Sequence, residues 1–125
     1  MKSRILVIED NEANRELLGA WLESEGFEVV YAENLEQSYA VFDTNLPQAV
    51  LLDVQLGRED GLFFARWMRE RQTLRDIPIL AVTAHAMATD EERVIEAGCD
   101  ACIAKPVDFK LLSRQLRHWL RNMAS

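Results

Sequence analysis

Residues 5–10 read Ile5-Leu6-Val7-Ile8-Glu9-Asp10, an unbroken apolar run that ends on a pair of carboxylates. A short continuous apolar run is the pattern of a strand buried on both faces, because alternation is lost when neither side meets water. Outward from this stretch the pattern recurs at Phe27 to Ala32, at Ala49-Val50-Leu51-Leu52 after Pro47, at Ile79-Leu80-Ala81-Val82 after Pro78, and at Ala101 to Ala104. Segments of helical period separate the runs. Ala13 to Ser24 carries Leu17, Leu18, Trp21 and Leu22 at helical spacing, with Gly26 as a stop. Leu35 to Phe42 follows a cap at Asn34, and a third helix spans about Leu62 to Arg71. A fourth runs from about Met87 to Ala97 before Gly98, and Asp108 caps a last helix reaching about Asn122.

Strand and helix alternate strictly through five units, which implies a parallel sheet with helices on both faces. The expected class is α/β: a doubly wound, five-stranded parallel sheet of flavodoxin-like type. Alternation does not itself fix the strand order; 2-1-3-4-5 is the order expected.

A length of 125 residues suits one domain, and no repeat, linker or low-complexity stretch divides it. Residues 1–125 are read as a single domain without an output domain, with Met1 as a natural start. Apolar residues make up 49% and charged residues 28%, ordinary for a globular protein. No apolar run approaches the roughly 20 residues of a membrane helix, and no signal-peptide stretch is present. A cytoplasmic location is the resulting expectation. Two cysteines give no disulfide framework. The net charge of −7 and pI near 4.8 argue against direct binding to nucleic acid, which needs a cationic surface.

Chemistry gathers just beyond the strands. Glu9 and Asp10 follow the first, the third ends on Asp53, Thr83 follows the fourth and Lys105 the fifth. Ligands of open α/β sheets bind outside the carboxyl ends of the strands, where the strand order switches. Clustered carboxylates repel one another and are most stable around a cation, and Mg²⁺ suits oxygen ligands of this kind. An aspartate can attack phosphorus to give an acyl phosphate, while Lys105 and Thr83 supply a cation and a hydroxyl for phosphoryl oxygens. Any one of these residues alone is more often a solvated loop residue or a cap. Their joint placement carries the reading.

The chain resembles the receiver domain of a two-component response regulator, of the free-standing or hybrid-kinase kind, over essentially its whole length. The matching elements are Ile5 to Asp10 with Asn11, Asp53 with Asp60-Gly61, Val82-Thr83-Ala84, and Ala104-Lys105-Pro106. The resemblance implies that Asp53 accepts a phosphoryl group from a phosphohistidine of a histidine kinase or phosphotransfer protein. It implies that Asp10 and Asp53 bind Mg²⁺, that Glu9 acts on it through water, and that the Gln55 backbone carbonyl completes the site. Thr83 and Lys105 would hold phosphoryl oxygens, and the Lys105–Pro106 bond would be cis. Such a module catalyses only its own phosphorylation and dephosphorylation, and its phospho-form changes protein partners. It is therefore a signalling protein rather than a metabolic enzyme.

Two positions depart from the family pattern. Gly57 stands where proline is usual, which frees that loop. Cys102 stands where an aromatic residue usually reports phosphorylation, so output must rest on Thr83 and the loop after it. His85 is a candidate for tuning, with Gln55, the access of water to the acyl phosphate; an exposed loop histidine is the alternative. Cys99-Asp100-Ala101-Cys102 has redox spacing but spans a turn into a strand, not a helix N-terminus, and lacks the second pair a zinc site needs. Trp21, Trp67 and Trp119 are read as packing residues. In the last helix Leu112, Leu116, Leu120 and Met123 form an inward stripe. Arg114, Arg117, His118 and Arg121 form a basic face, either solvated or a surface for an acidic partner or a second copy.

Other functions remain to be weighed. A haloacid-dehalogenase phosphatase or phosphotransferase also combines an aspartyl nucleophile, Mg²⁺, Thr or Ser and Lys. It carries that nucleophile after the first strand, with a second Asp two residues on; here the candidate follows the third strand and that neighbour is Gln55. A flavin-binding module is disfavoured because Glu9-Asp10-Asn11-Glu12 would repel a flavin phosphate.

Overall fold

In a computed structural model that describes residues 2–84 and 88–123, the apolar runs assemble as the alternation requires. In chain order the elements are β1 (Arg4–Ile8), α1 (Glu12–Ser24), β2 (Glu28–Ala32), α2 (Leu35–Thr44) and β3 (Ala49–Asp53). Then follow β4 (Gln55–Leu56), β5 (Glu59–Asp60), α3 (Leu62–Arg69), β6 (Ile79–Thr83), α4 (Ala88–Glu96), β7 (Ala101–Ala104) and α5 (Phe109–Met123). Five strands form one parallel sheet, ordered β2-β1-β3-β6-β7. With the small antiparallel hairpin β4-β5 set aside, this is the expected 2-1-3-4-5 order.

The continuous apolar runs split by alternate residues between two cores. Leu6, Ile8, Val50, Leu52, Ile79 and Ala81 face Phe64, Met68, Val94 and Ala97 of the α3 and α4 region, with Leu35 of α2. Ile5, Val7, Leu51, Leu80, Val82 and Ile103 face Leu18 and Leu22 of α1 and Leu112 and Leu116 of α5. This two-sided demand is why these strands show no polar alternation. Register then levels the carboxyl ends: Ile8 lies beside Leu52, Asp53 beside Val82, and Thr83 beside Ala104.

The boundaries shift where local hydrogen bonds decide them. Helix α1 starts at Glu12, because the Asn11 side chain accepts from the Asn14 amide at 3.0 Å. Asp53 ends its strand as expected, Thr83 closes its strand rather than following it, and α3 ends at Arg69, short of Arg71. The segment between β3 and α3 contains the β4-β5 hairpin. Asp108 caps α5 as expected, accepting from the amides of Lys110 and Leu111 at 3.1 and 3.2 Å.

One buried-edge clamp holds α3 to the rest. Arg69 Nε donates to the Gly98 carbonyl at 2.7 Å, and Nη1 donates to the carbonyls of Arg75 and Ile77 at 2.9 and 2.8 Å. Nη2 donates to Asp100 Oδ2 at 2.8 Å, an oxygen that also accepts from the Ile79 amide at 2.8 Å. One guanidinium thus ties the end of α3, the entry to β6 and the turn before β7. Arg69→Ala should lower the unfolding free energy by about 2–4 kcal/mol, since it strands several partly buried acceptors. Arg69→Lys should recover less than half of that, lacking the planar fork. Urea midpoints with an unchanged m-value check both.

Candidate functional site

Each functional side chain is placed by a strand end. Glu9 follows β1 and is 2% exposed; Asp53 closes β3 at 6%, and Thr83 closes β6 at 4%. Lys105 follows β7, and its backbone amide donates to the Thr83 carbonyl at 2.8 Å, which holds the β6 and β7 ends together. Carboxylate oxygens of Glu9, Asp10 and Asp53 lie within 4.8 Å of one another, with Asp10 the exposed member. The Lys105–Pro106 peptide is cis, as expected from the resemblance.

Asp53 is held at both oxygens. Oδ1 accepts from the Gln55 amide at 3.1 Å and Oδ2 from Lys105 Nζ at 3.1 Å. Lys105 Nζ also lies 3.5 Å from Glu9 Oε1. Burial lowers the Lys105 pKa, but the hydrogen bond and charge of Asp53, joined by Glu9, outweigh it and raise the ammonium above its ordinary value. Glu9 shows the cost of this crowding. Burial first, then the hydrogen bond and charge of Asp53, push its carboxyl up to about 7, against the pull of Lys105. Its Oε2 is buried without a hydrogen-bond partner, among the described residues.

Two glycines shape the floor and rim. A Cβ on Gly61 would collide with the Asp53 carbonyl oxygen, so only glycine permits α3 to start so close beneath that residue. Gly57 turns the hairpin tip at φ +60°, and a Cβ there would lie 3.7 Å from Asp10 Oδ2. The hairpin therefore leans over the acidic cluster, with Gln55 and Asp60 paired in its ladder.

Sequence reasoning missed Arg15, whose Nη1 donates to the Glu9 carbonyl at 3.0 Å while Nη2 pairs with Glu33 at 3.1 Å. The signal was slight: one basic residue in the first turns of an acidic helix start. It also missed an apolar groove of about 450 Å³ beside the site, where Leu17, Leu18, Val82, Val107 and Phe109 meet Glu9 and Lys105. Leu17 is 58% exposed there.

The remaining candidates sort clearly. Cys99 is buried and burial pushes its thiol up to about 12; Cys102 is half-buried and also raised by burial first. Neither has the lowered pKa of a redox thiol. Trp21 packs on Phe109 and donates to Ser113 Oγ at 2.7 Å, while Trp67 stacks on Phe64 under Arg71. Trp119 packs against the α1–α5 core. On the basic face of α5, Arg117 folds back on the end of α1, donating to the Glu25 carbonyl at 3.0 Å and lying over the Phe27 ring. His85 and the side chain of Met123 fall outside the described residues.

A buried aspartate held by a lysine thus lies in an acidic crevice at the switch point of a 2-1-3-4-5 sheet, the place where flavodoxin-like domains bind their ligands. Residues 5–117 match the response regulator receiver domain model. The chain is 33% identical over 120 residues to the polar-differentiation response regulator DivK of Brucella anthropi, covering 96% of this chain and 98% of that one. Among solved structures, a response regulator from Chloroflexus aurantiacus superposes with a TM-score of 0.92 at 27% identity, covering 97% of this chain and 99% of the other. The receiver domain of a Pseudomonas aeruginosa sensor histidine kinase gives 0.86 at 32%, covering 96% and 98%; that protein has a magnesium ion coordinated in its active-site cleft. The chain belongs to the response regulator receiver domain family and is a phosphorylation-switched module of two-component signalling. The haloacid-dehalogenase arrangement is not found, since the lysine-held carboxylate closes β3 rather than β1. No helix among the described residues is long and apolar enough to cross a membrane.

The raised pKa of Glu9 contributes a pH dependence to the stability of the fold. Its folded-state pKa of about 7 lies above the ordinary 4.5, so between those values the folded chain keeps a proton that the unfolded chain releases. Stability should therefore fall as pH rises through this window. Glu9→Gln should flatten that slope, read as urea midpoints at about pH 5 and about pH 8.

Proposed function

We propose that Asp53 is the phosphoacceptor of this receiver and takes its phosphoryl group from a phosphohistidine. The observation that carries the reading is the Asp53 carboxylate itself, buried at the end of β3 between the Gln55 amide and the Lys105 ammonium. An Asp53 oxygen forms the new O–P bond as the donor's N–P bond breaks, and the electron pair leaves with the imidazole. Lys105 then holds one phosphoryl oxygen, and the Thr83 hydroxyl, at the adjacent strand end, holds another.

The acidic cluster fits Mg²⁺. Three carboxylates face one ammonium, Glu9 is driven toward protonation, and its buried Oε2 has no hydrogen-bond partner among the described residues. Asp10, Asp53 and the Gln55 backbone carbonyl would hold the ion, with Glu9 acting through water. The ion supplies neutralisation of the charge that gathers on the phosphoryl oxygens.

The partner is a histidine kinase or histidine phosphotransfer protein. The groove from Leu17 to Phe109 supports this, because Glu9 and Lys105 line it as well as the acidic site. A donor whose apolar side chain fills it would bring a phosphohistidine to Asp53. Downstream, the phospho-form acts by changing protein contacts on the α4–β7–α5 side, with a second copy or another protein, and the unit is one receiver domain over residues 1–125.

Labelling with acetyl phosphate or phosphoramidate and magnesium should give about one phosphoryl group per chain. Asp53→Ala should abolish it; equal labelling of the variant would refute the assignment. Leu17→Asp should leave small-molecule labelling intact while slowing transfer from a phosphorylated protein donor about tenfold or more, measured by radiolabel transfer.

A further inference from the structure

We infer that Arg93 on α4 is a positioning residue for the metal-ligand loop, coupling cation binding to α4 through its ion pair with Asp60. The inference rests on the reading of Asp53 and the Gln55 carbonyl as magnesium ligands.

Each strand of the β4-β5 hairpin is only two residues long, and its tip contains Gly57 in a left-handed conformation. Such a hairpin has little stability of its own. Its geometry must come from outside, and it is anchored on three sides. At its base the Gly61 amide donates to the Val54 carbonyl at 2.8 Å. Toward α2, the Leu35 amide donates to Glu59 Oε1 at 3.2 Å. The third anchor is Asp60, the ladder partner of Gln55. Its Oδ1 accepts from the Leu62 amide at 2.9 Å, fixing the start of α3, and its Oδ2 pairs with Arg93 Nη1 at 3.4 Å.

A single side chain therefore joins the backbone segment that carries Gln55 to α3 and to α4. Where a proline would stiffen the loop from within, this chain holds it from without. The side chains of Asp60 and Arg93 are 36% and 49% exposed, so the pair is modest and sensitive to salt. Linkage makes the effect reciprocal: whatever draws Arg93 from Asp60 weakens cation binding, and a bound cation favours the α4 position that keeps the pair.

Magnesium titration of the full chain, followed by amide chemical shifts, tests this with wild type, Arg93→Ala, Arg93→Lys and Asp60→Asn. Arg93→Ala should bind Mg²⁺ about two- to fivefold more weakly, the scale of an exposed ion pair. Simple removal of a nearby positive charge would act in the opposite sense and tighten binding. Arg93→Lys should restore most of the affinity, and the difference between wild type and Arg93→Ala should vanish at about 0.5 M KCl, where an exposed pair is screened. Added to Asp60→Asn, which keeps the cap to Leu62 but lacks the charge, Arg93→Ala should cause no further weakening. A merely structural role would leave a defect that salt does not remove. Binding by Arg93→Ala as tight as wild type, or tighter, overturns the inference alone, provided wild type binds the ion and labels at Asp53. If wild type shows no magnesium binding that Asp53→Ala removes, the proposed metal site and this inference both fall.

Discussion

The crowding of Glu9, Asp10 and Asp53 against one ammonium is the constraint around which this molecule is organised. Carboxylates gather within 4.8 Å only if something rigid holds them, and here it is the β1–β3 ladder, whose side chains are fully packed on both faces. The repulsion is only partly offset. The Gln55 amide and Lys105 satisfy Asp53, Lys105 reaches Glu9 at 3.5 Å, and Glu9 is still driven up to about 7. A site left short of positive charge is one that a divalent cation and a phosphoryl group can complete.

Rigid strands and soft loops divide the work. Strand ends fix Asp53, Thr83 and Lys105, and the β6–β7 backbone bond at 2.8 Å keeps the last two together. The hairpin over Asp10 is different, because it takes its shape from α2, α3 and α4 through Glu59 and Asp60. Cys102, with its small half-buried thiol, offers no large ring to move when the site changes. Among the described residues, the Asp60–Arg93 pair is one contact that leads from the hairpin to α4, and as an exposed ion pair it is sensitive to salt.

Much of this was legible in residue order, and unevenly so. The five apolar runs, the helices between them and the cap residues Asn34 and Asp108 followed from period and side-chain chemistry. Glu9, Asp10, Asp53, Thr83 and Lys105 could be singled out because each stands at the end of an apolar run. The hairpin could not be seen: Gln55-Leu56 and Glu59-Asp60 are too short to carry a period. Nor did Arg69, Arg15 and Arg93 announce their roles, since an arginine on a helix is ordinarily solvated. Arg117 was assigned to an open basic face, yet Phe27 and Glu25 draw it back against α1.

The sequence by itself determined the alternating strands and helices, their burial on both faces and the chemical kinds of group that follow each strand. These are local properties, set by side-chain polarity and spacing along the chain. Tertiary structure alone decided that strand 1 lies beside strand 3, at a register that brings Glu9, Asp10 and Asp53 together and points Lys105 between two of them. It also decided which arginines became clamps. Distances between residues about 45 to 95 positions apart depend on how packed layers close, and no pattern along the chain encodes them directly.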